Sequence, residues 1–396
     1  MKHATLIAIA ATIGLGAGLS GSSARAAAGA LSPAKYNVQA VLQKAPGGNI
    51  APCREIADPY PEYNGIALDP AHHLVSLSDT NLKSLLTYDL TQVGADSTDP
   101  TPPRAWVKGP ATYISYAAGV AFDPVRRMVC VTENDVGDDV ACFPDDASGD
   151  YQARVLAVPH GAYGLAFNQR LKQMVVSVEH NAQLIFYRTG ATGAEPPLRA
   201  IRGPHTEMAD PHGLYWDDVN QEIGVVNHGN SSPGYWNMDY TGGGRYQPPS
   251  ITIFSDHEKG DVKPLRVIQG VHTQLDWPSG IAVDPVHNEI AVANTAGGSV
   301  LIFSRTARGD VKPLRVISGP HTGIYIPMGV AFDPNHDSLW VANFGHTALE
   351  FNRTAEGDAT PIGVLRNAPK ATPAVRFGNP FTIAYDSKRD ELIVPN

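Results

Sequence analysis

Seven copies of one short phrase recur along the 396-residue chain. Each is a small residue, two apolar residues, a variable one and then Asp, or Asn in one copy. The copies read GIALDP (65–70), GVAFDP (119–124), GLAFNQ (164–169), GLYWDD (213–218), GIAVDP (280–285), GVAFDP (329–334) and TIAYDS (382–387). Self-similarity at a period of about 50 residues describes units that cannot bury a hydrophobic face alone and must stack on their neighbours. Length by itself would allow two or three ordinary domains, and the repeat overrides that prior.

The best-preserved unit, 280–319, shows what each copy builds. GIAVD (280–284) is apolar and β-prone, and the Asp-Pro that follows suits a type I turn. EIAVAN (289–294), SVLIFS (299–304) and PLRVISG (313–319) supply three further strands, separated by the turn TAGG (295–298) and the loop TARGDVK (306–312). Four antiparallel strands per repeat is the signature of a propeller blade. The last repeat has only two strands, TIAYD (382–386) and ELIVPN (391–396), and the missing pair is found at the other end. Residues 41–56 align without a gap on 302–317, keeping Gly48 against Gly309, Pro52 against Pro313, Arg54 against Arg315 and Ile56 against Ile317. The expected fold is therefore all-β, a seven-bladed β-propeller of four-stranded antiparallel blades. N-terminal strands (37–56) complete the C-terminal blade (381–396), and that pairing removes exposed edges.

Lys2 and His3 precede the apolar run 6–19, and Ala24-Arg25-Ala26 offers a small-x-small cleavage site. Residues 1–26 read as a secretory signal peptide outside the fold, 27–36 as a short linker and 37–396 as one propeller domain. The expected location is periplasmic or secreted. The apolar run is too short and too rich in Gly and Ala for a membrane span, and none follows it. A net charge of −9 without a basic cluster argues against nucleic acid as a partner. No GxSxG elbow, P-loop, dinucleotide-binding glycine pattern or CxxCH is present.

Cys130 and Cys142 lie in two strand-like runs joined by the turn-forming NDVGD (134–138), and hairpin symmetry sets them opposite each other. A cross-strand disulfide is expected in an oxidising compartment, with two adjacent buried thiols as the alternative. Cys53 lacks an evident partner and is expected to be buried as a small hydrophobe.

The phrase P-x-G-I-A-x-D (278–284), the VAN strands (292–294 and 341–343) and the G-x-x-T links (203–206, 270–273 and 319–322) resemble NHL-type and related propeller repeats. The resemblance covers about residues 35–396 and implies a propeller. Related propellers include protein-interaction platforms, metal-dependent lactonases and the streptogramin lyases. The histidines of the links, His205, His272 and His321, are expected to tie down their own loops.

In a propeller the first strands line the axis, and the links into them share one face with the hairpin turns between strands two and three. Two residue sets therefore meet at the channel mouth. The first lies fourteen residues after each initial small residue: Asp79, Glu133, Val178, Asn227, Asn294, Asn343 and Asn396. Asn here suits hydrogen bonding to backbone N–H groups of the next turn. Asp79, Glu133 and Glu179 break the Asn pattern, and as three acids from consecutive blades they are candidate ligands for Ca²⁺ or Mg²⁺, with separate solvated carboxylates as the alternative. The second set, directly before the phrase, includes Asn64, Tyr163, His212, Ser279, Met328 and Phe381, with Trp277 nearby. Glu179, His180 and His212 are candidate acid–base or metal groups.

Two insertions break the regularity. Residues 91–103 read as a solvated, Pro-rich loop. Residues 228–250 carry Tyr235, Trp236, Tyr240 and Tyr246, and are expected to be ordered over the mouth near His212 and Asn227, with a floppy insertion whose rings pack on the neighbouring blade as the alternative. The function expected from these features is an exported binding module whose mouth face meets a protein segment, glycan or small molecule. Asp79, Glu133, Asn227, His228, Trp236 and Trp277 are its candidate contacts. The alternative is a metal-dependent enzyme of lactonase-like hydrolase or lyase type.

Overall fold

A computed structural model describes residues 5–11, 48, 50, 52–58, 63–92, 101–229, 247–366 and 380–395. The described chain forms six four-stranded antiparallel blades, each with its strands in sequence order. The first holds β3 (Tyr63–Asp69), β4 (Leu74–Asp79), β5 (Ser84–Asp89) and β6 (Ala105–Lys108), and the second β7 (Ala117–Asp123), β8 (Met128–Glu133), β9 (Asp139–Pro144) and β10 (Arg154–Ala157). The third holds β11 (Ala162–Asn168), β12 (Gln173–Val178), β13 (Gln183–Arg188) and β14 (Arg199–Arg202). The fourth holds β15 (Pro211–Asp217), β16 (Glu222–Asn227), β17 (Ser250–Ser255) and β18 (Arg266–Gln269). β19 (Pro278–Asp284), β20 (Glu289–Asn294), β21 (Ser299–Ser304) and β22 (Arg315–Ile317) make the fifth. β23 (Pro327–Asp333), β24 (Ser338–Asn343), β25 (Thr347–Asn352) and β26 (Gly363–Leu365) make the sixth.

The seventh sheet corrects the expectation of seven antiparallel blades. It runs β2 (Arg54–Asp58), β1 (Thr5–Ala11), β28 (Glu391–Val394), β27 (Ala384–Asp386), and β1 is parallel to both of its neighbours. Thr5–Ala11, within the stretch read as a leader, thus occupies the third-strand place expected for residues upstream of 48. Its apolar, β-prone sequence satisfies the backbone groups that β2 and β28 present to one another.

Each Asp at the end of a first strand organises the turn that follows. Asp284 Oδ1 accepts from Val286 N at 2.9 Å and His287 N at 3.1 Å, and Asp69, Asp217 and Asp333 do the same. This Asx geometry is why the phrase ends in Asp. The second strands, such as β16, β20 and β24, are buried along their whole length, because each blade packs both faces against others. Ala291 and Ala293 of β20 and Ile302 of β21 meet Leu339, Val341, Leu349 and Phe351 of the sixth blade in one core cluster.

Two repeated polar devices join the blades. In the first, Asp261, Asp310 and Asp358 from the loop before a fourth strand reach the link that joins the preceding blade to their own. Asp310 accepts from His272 N at 2.7 Å and pairs with His272 Nδ1 at 2.7 Å, and the His205–Asp261 and His321–Asp358 pairs repeat it. The link histidines therefore tie blade to blade rather than their own loops. Gly270 (φ 133°) makes room for the contact, since a Cβ there would lie 2.3 Å from the Asp310 carboxyl carbon. In the second device, the Arg that opens a fourth strand grips the Glu that opens a second strand. Arg266 binds Glu222 bidentately at 2.9 and 2.6 Å, and Arg305 of the next blade joins at 2.7 Å. Arg315 and Arg353 repeat this on Glu289, and Arg54 pairs with Glu391 in the seventh sheet.

Cys130 and Cys142 face each other across β8 and β9 and form a disulfide. Cys53 is exposed, not buried as expected. It immediately precedes β2, the outermost strand of its sheet, where no inner position is available to it.

The aspartates of the blade-to-blade clasps carry a pH signature. At Asp310 the His272 ring hydrogen bond holds the carboxyl below its usual range; at Asp261 and Asp358 burial opposes the shift, and the histidine bonds outweigh it. A depressed folded value contributes stability that is complete above the unfolded value of about 3.9 and is lost as pH falls through the folded one. Replacing all three by Asn should lower the melting temperature at neutral pH, with the deficit closing toward about pH 3. A deficit that stays constant over that range would show that the charge contributes nothing.

Candidate functional site at the channel mouth

The small residue that opens each phrase is set by the approach of neighbouring first strands at the axis. A Cβ on Gly119 would lie 2.3 Å from the Tyr163 carbonyl oxygen, and one on Gly280 would lie 2.5 Å from that of Met328. Between these strands runs a central cavity of about 240 Å³, lined by segments around Gly65, Gly119, Gly164, Gly213, Gly280, Gly329 and Thr382. Its lining is largely glycine and aliphatic, so charged chemistry has to come from the mouth.

The ring positions at the ends of the second strands are mostly latches. Asn227, Asn294 and Asn343 each accept, through Oδ1, a backbone N–H from the link into their own blade's first strand: Ala209, Asp276 and Tyr325. The partner lies eighteen residues before the Asn, not in the turn that follows it. Glu133 holds the same place, and its Oε2 accepts from Ser115 N at 2.8 Å and Tyr116 N at 2.7 Å. Asp79 turns into its own hairpin and accepts from Leu82 N at 2.8 Å.

The third blade departs from this pattern. Its ring position is Val178, which latches nothing, and the next residue, Glu179, reaches across to the fourth blade. There Glu179 Oε1 lies 2.9 Å from His212 Nε2. The other ring nitrogen, Nδ1, bonds the Asp210 carbonyl oxygen at 3.0 Å and lies 3.7 Å from Asp210 Oδ1. His228, just past the Asn227 latch, stacks on His212 with ring centroids 3.5 Å apart and 22° between planes, and its Nδ1 is 3.9 Å from Asp210 Oδ2. Trp277, half-exposed with φ 52°, meets His228 edge-on at 5.3 Å, and the half-buried Tyr163 ring lies 4.6 Å from His212. His180 sits beside this group, with its ring 5.0 Å from His160 and its Nδ1 buried without a hydrogen-bond partner.

Opposite shifts fall on the two stacked rings. Burial alone would lower His212, but the Glu179 hydrogen bond and the charges of Glu179 and Asp210 outweigh it and raise the value. Burial, followed by the charge of His212, depresses His228 to about 2. His228 makes no hydrogen bond through Nε2, and a backbone hydrogen bond with Pro278 opposes the depression. Burial also raises Asp210.

The structure thus brings Glu179, His180, His212, His228 and Trp277 to one part of the mouth, next to Asn227. Asp79 and Glu133 are engaged within the first and second blades. Among the described residues two groups, Asp210–His212–His228 and Asp333–His336–Asp390, each bring three potential ligand atoms within 4.8 Å, and neither includes Asp79, Glu133 or Glu179. Trp236, Tyr235, Tyr240 and Tyr246 lie outside the described residues. The roots of their insertion are fastened by Gly229 N to Ala209 O and Gln247 N to Gly229 O, both at 3.1 Å. Sequence pattern alone does not mark Asp210. Its one signal is its place before Pro211, equivalent to Trp277 before Pro278, where both residues adopt left-handed φ.

No family model matches the chain, and no curated protein sequence matches it. Among solved structures the chain is similar to the WD40 β-propeller domain of Doa1, with a TM-score of 0.56 and 11% identity over 89% of this chain and 91% of that one. The fold is a β-propeller. At that identity the likeness carries the fold alone, and the NHL resemblance rests on the repeat phrase. No helix among the described residues is long and apolar enough to cross a membrane.

Glu133 offers a direct test of latch against ligand. Burial raises its carboxyl despite the donors from Ser115 and Tyr116, and the nearby Asp139 is pushed up to about 6 by burial and by Glu133. A raised carboxyl destabilises the fold as pH climbs past the unfolded value. Glu133→Gln keeps an acceptor for the link and removes the buried charge. The variant should therefore match or exceed the parent's melting temperature at pH 8, whereas Glu133→Leu should cost about 1–3 kcal/mol by leaving the Ser115 and Tyr116 N–H groups without their acceptor.

Proposed function

We propose that this chain is an exported seven-bladed interaction module that receives a protein segment at the channel mouth. The seven-bladed part of the reading is supported by the edges of the seventh sheet. β2 and β28 run parallel to each other, as strands four and two do in each of the six blades, so the place between them suits an antiparallel strand. The Arg54–Glu391 pair repeats the clasps of Arg266 on Glu222 and Arg315 on Glu289. Ile50 N bonds Val364 O at 3.2 Å on the sixth blade, and Thr101 N of the first blade bonds Ala57 O at 2.9 Å. Residues 37–47, the expected occupant of that place once the leader is removed, lie outside the described residues.

The observation that carries the binding reading is the gathering of Glu179, Asp210, His212 and His228 beside a half-exposed Trp277, at the rim of a largely aliphatic channel. A few convergent polar groups with an amphipathic aromatic anchor is the composition of a recognition site. A second reading is a metal-dependent enzyme of lactonase-like hydrolase or lyase type, favoured by the convergence of Asp210, His212 and His228. Glu179 and His180 are then its acid–base candidates.

Two experiments separate the parts. A chain lacking residues 1–26 should unfold cooperatively at or above the melting temperature of the full-length chain, and one lacking 1–47 should lose solubility or cooperativity. A well-folded 48–396 chain overturns the two-plus-two closure. For binding, the protein is probed against peptide, glycan and small-molecule arrays. Trp277→Ala should weaken peptide signals by about 1–3 kcal/mol, while Trp106→Ala, on an outer strand, leaves them unchanged. Signals confined to glycans or small molecules reassign the ligand class, and signals indifferent to Trp277 overturn the site.

A further inference from the structure

We propose that Asp210, His212 and His228 form a binding site for a first-row divalent transition ion, zinc foremost, with Glu179 as its outer carboxylate. The inference rests on the mouth being the working face and adds the chemistry of the ion. Neither Ca²⁺ nor Mg²⁺ suits it, because both prefer all-oxygen ligands and two of these three donors are imidazoles.

Distance is the first observation. Zinc bonds nitrogen and oxygen at about 2.0–2.1 Å, so two ligands of a tetrahedral ion sit about 3.4 Å apart. His212 Nδ1 to Asp210 Oδ1 is 3.7 Å and His228 Nδ1 to Asp210 Oδ2 is 3.9 Å, and the three donors lie within 4.8 Å of one another. Small side-chain movements close that gap.

The second observation is the state of the two rings. His228 is more than nine-tenths buried, yet its Nε2 has no hydrogen-bond partner. Buried polar groups are ordinarily paired, and Nε2 gains its partner when the ring turns to offer that nitrogen, rather than Nδ1, to the ion. The stacked arrangement is not itself a ligating one, because an ion must lie close to the plane of each imidazole. Turning the His228 ring about its terminal torsion opens the stack, since that torsion is soft.

Third, the outer contacts already suit an ion. His212 Nε2 faces Glu179 at 2.9 Å, the carboxylate–histidine arrangement that fixes the tautomer and leaves Nδ1 for the metal. Binding replaces the Nδ1 proton, which leaves to solvent, and the Asp210 carbonyl gives up its contact. Three protein ligands leave a fourth position for water or a ligand atom, the pattern of an open site.

The other group, Asp333–His336–Asp390, serves as an internal control. There His336 Nδ1 is 2.9 Å from Asp333 and 3.3 Å from Asp390, while Asp390 accepts from the Tyr385 hydroxyl at 2.7 Å. Its polar groups satisfy each other, and no ion is needed to explain them.

The test is calorimetric titration of chelator-stripped full-length protein with Zn²⁺ alone, paired with Co²⁺ absorption. The parent should take up about one ion per chain at a dominant site, with the intense visible bands of four-coordinate Co²⁺. His228→Ala should abolish that site and its bands. Glu179→Gln, a positioning change, should weaken binding about 10–100-fold, and His336→Ala should leave it intact. His228→Gln replaces His228→Ala if melting curves show that the alanine variant fails to fold. Equal uptake by the parent and the His228 variants, or a loss that follows His336 instead, overturns the proposal. Trp277→Ala should keep zinc affinity while losing peptide binding, so failure of the ion site and failure of the recognition site are separately visible.

Discussion

No blade of this protein can bury its own faces. The second strands are apolar on both sides, so each blade is stable only with a neighbour pressed against it, and everything else follows from stacking around an axis. The first strands approach closely enough at the centre that Gly119 and Gly280 have no room for a Cβ. Farther out, Arg305 on Glu222, Arg353 on Glu289 and the His–Asp clasps hold blade to blade. Apolar contact supplies the non-directional driving force, and the polar pairs set the register in which it is exerted.

The same stacking explains where chemistry can reside. A ring position filled by Asn294 or Asn343 is occupied with holding its own link, and Glu133 does that work with a carboxylate. Freedom appears where the repeat lapses. Val178 removes the latch from the third blade, Glu179 crosses to His212, and the fourth blade places His228 directly beyond its Asn227 latch, at the root of the insertion. The candidate site is thus built from departures at one blade junction, with Asp210 and Trp277 turned into it by left-handed backbone on the links.

Several readings from sequence concern one chain segment at a time, and these transferred well. The Asp that ends each phrase makes its turn, and the Cys130–Cys142 pair follows from hairpin symmetry. Readings that needed two blades fared differently. From sequence the link histidines read as holding their own loops, because their partners Asp261, Asp310 and Asp358 lie 37 to 56 residues away. Asp79 and Glu133 stood out as acids in an Asn series, yet an acceptor of backbone N–H groups can be any of the three residue types. The chemistry of Cys53 alone suggests burial, and an edge position leaves it exposed.

Sequence by itself determined the repeat, its strand order, the turns and the small residue at the axis, because each depends on local backbone geometry or on a periodicity that every copy restates. Tertiary structure alone decided that Glu179, Asp210, His212 and His228 converge, and that Thr5–Ala11 pairs between β2 and β28 in the full-length chain. Convergence at a ring's mouth depends on how far one blade is turned against the next, and that angle is set by the sum of many side-chain contacts that no single segment encodes.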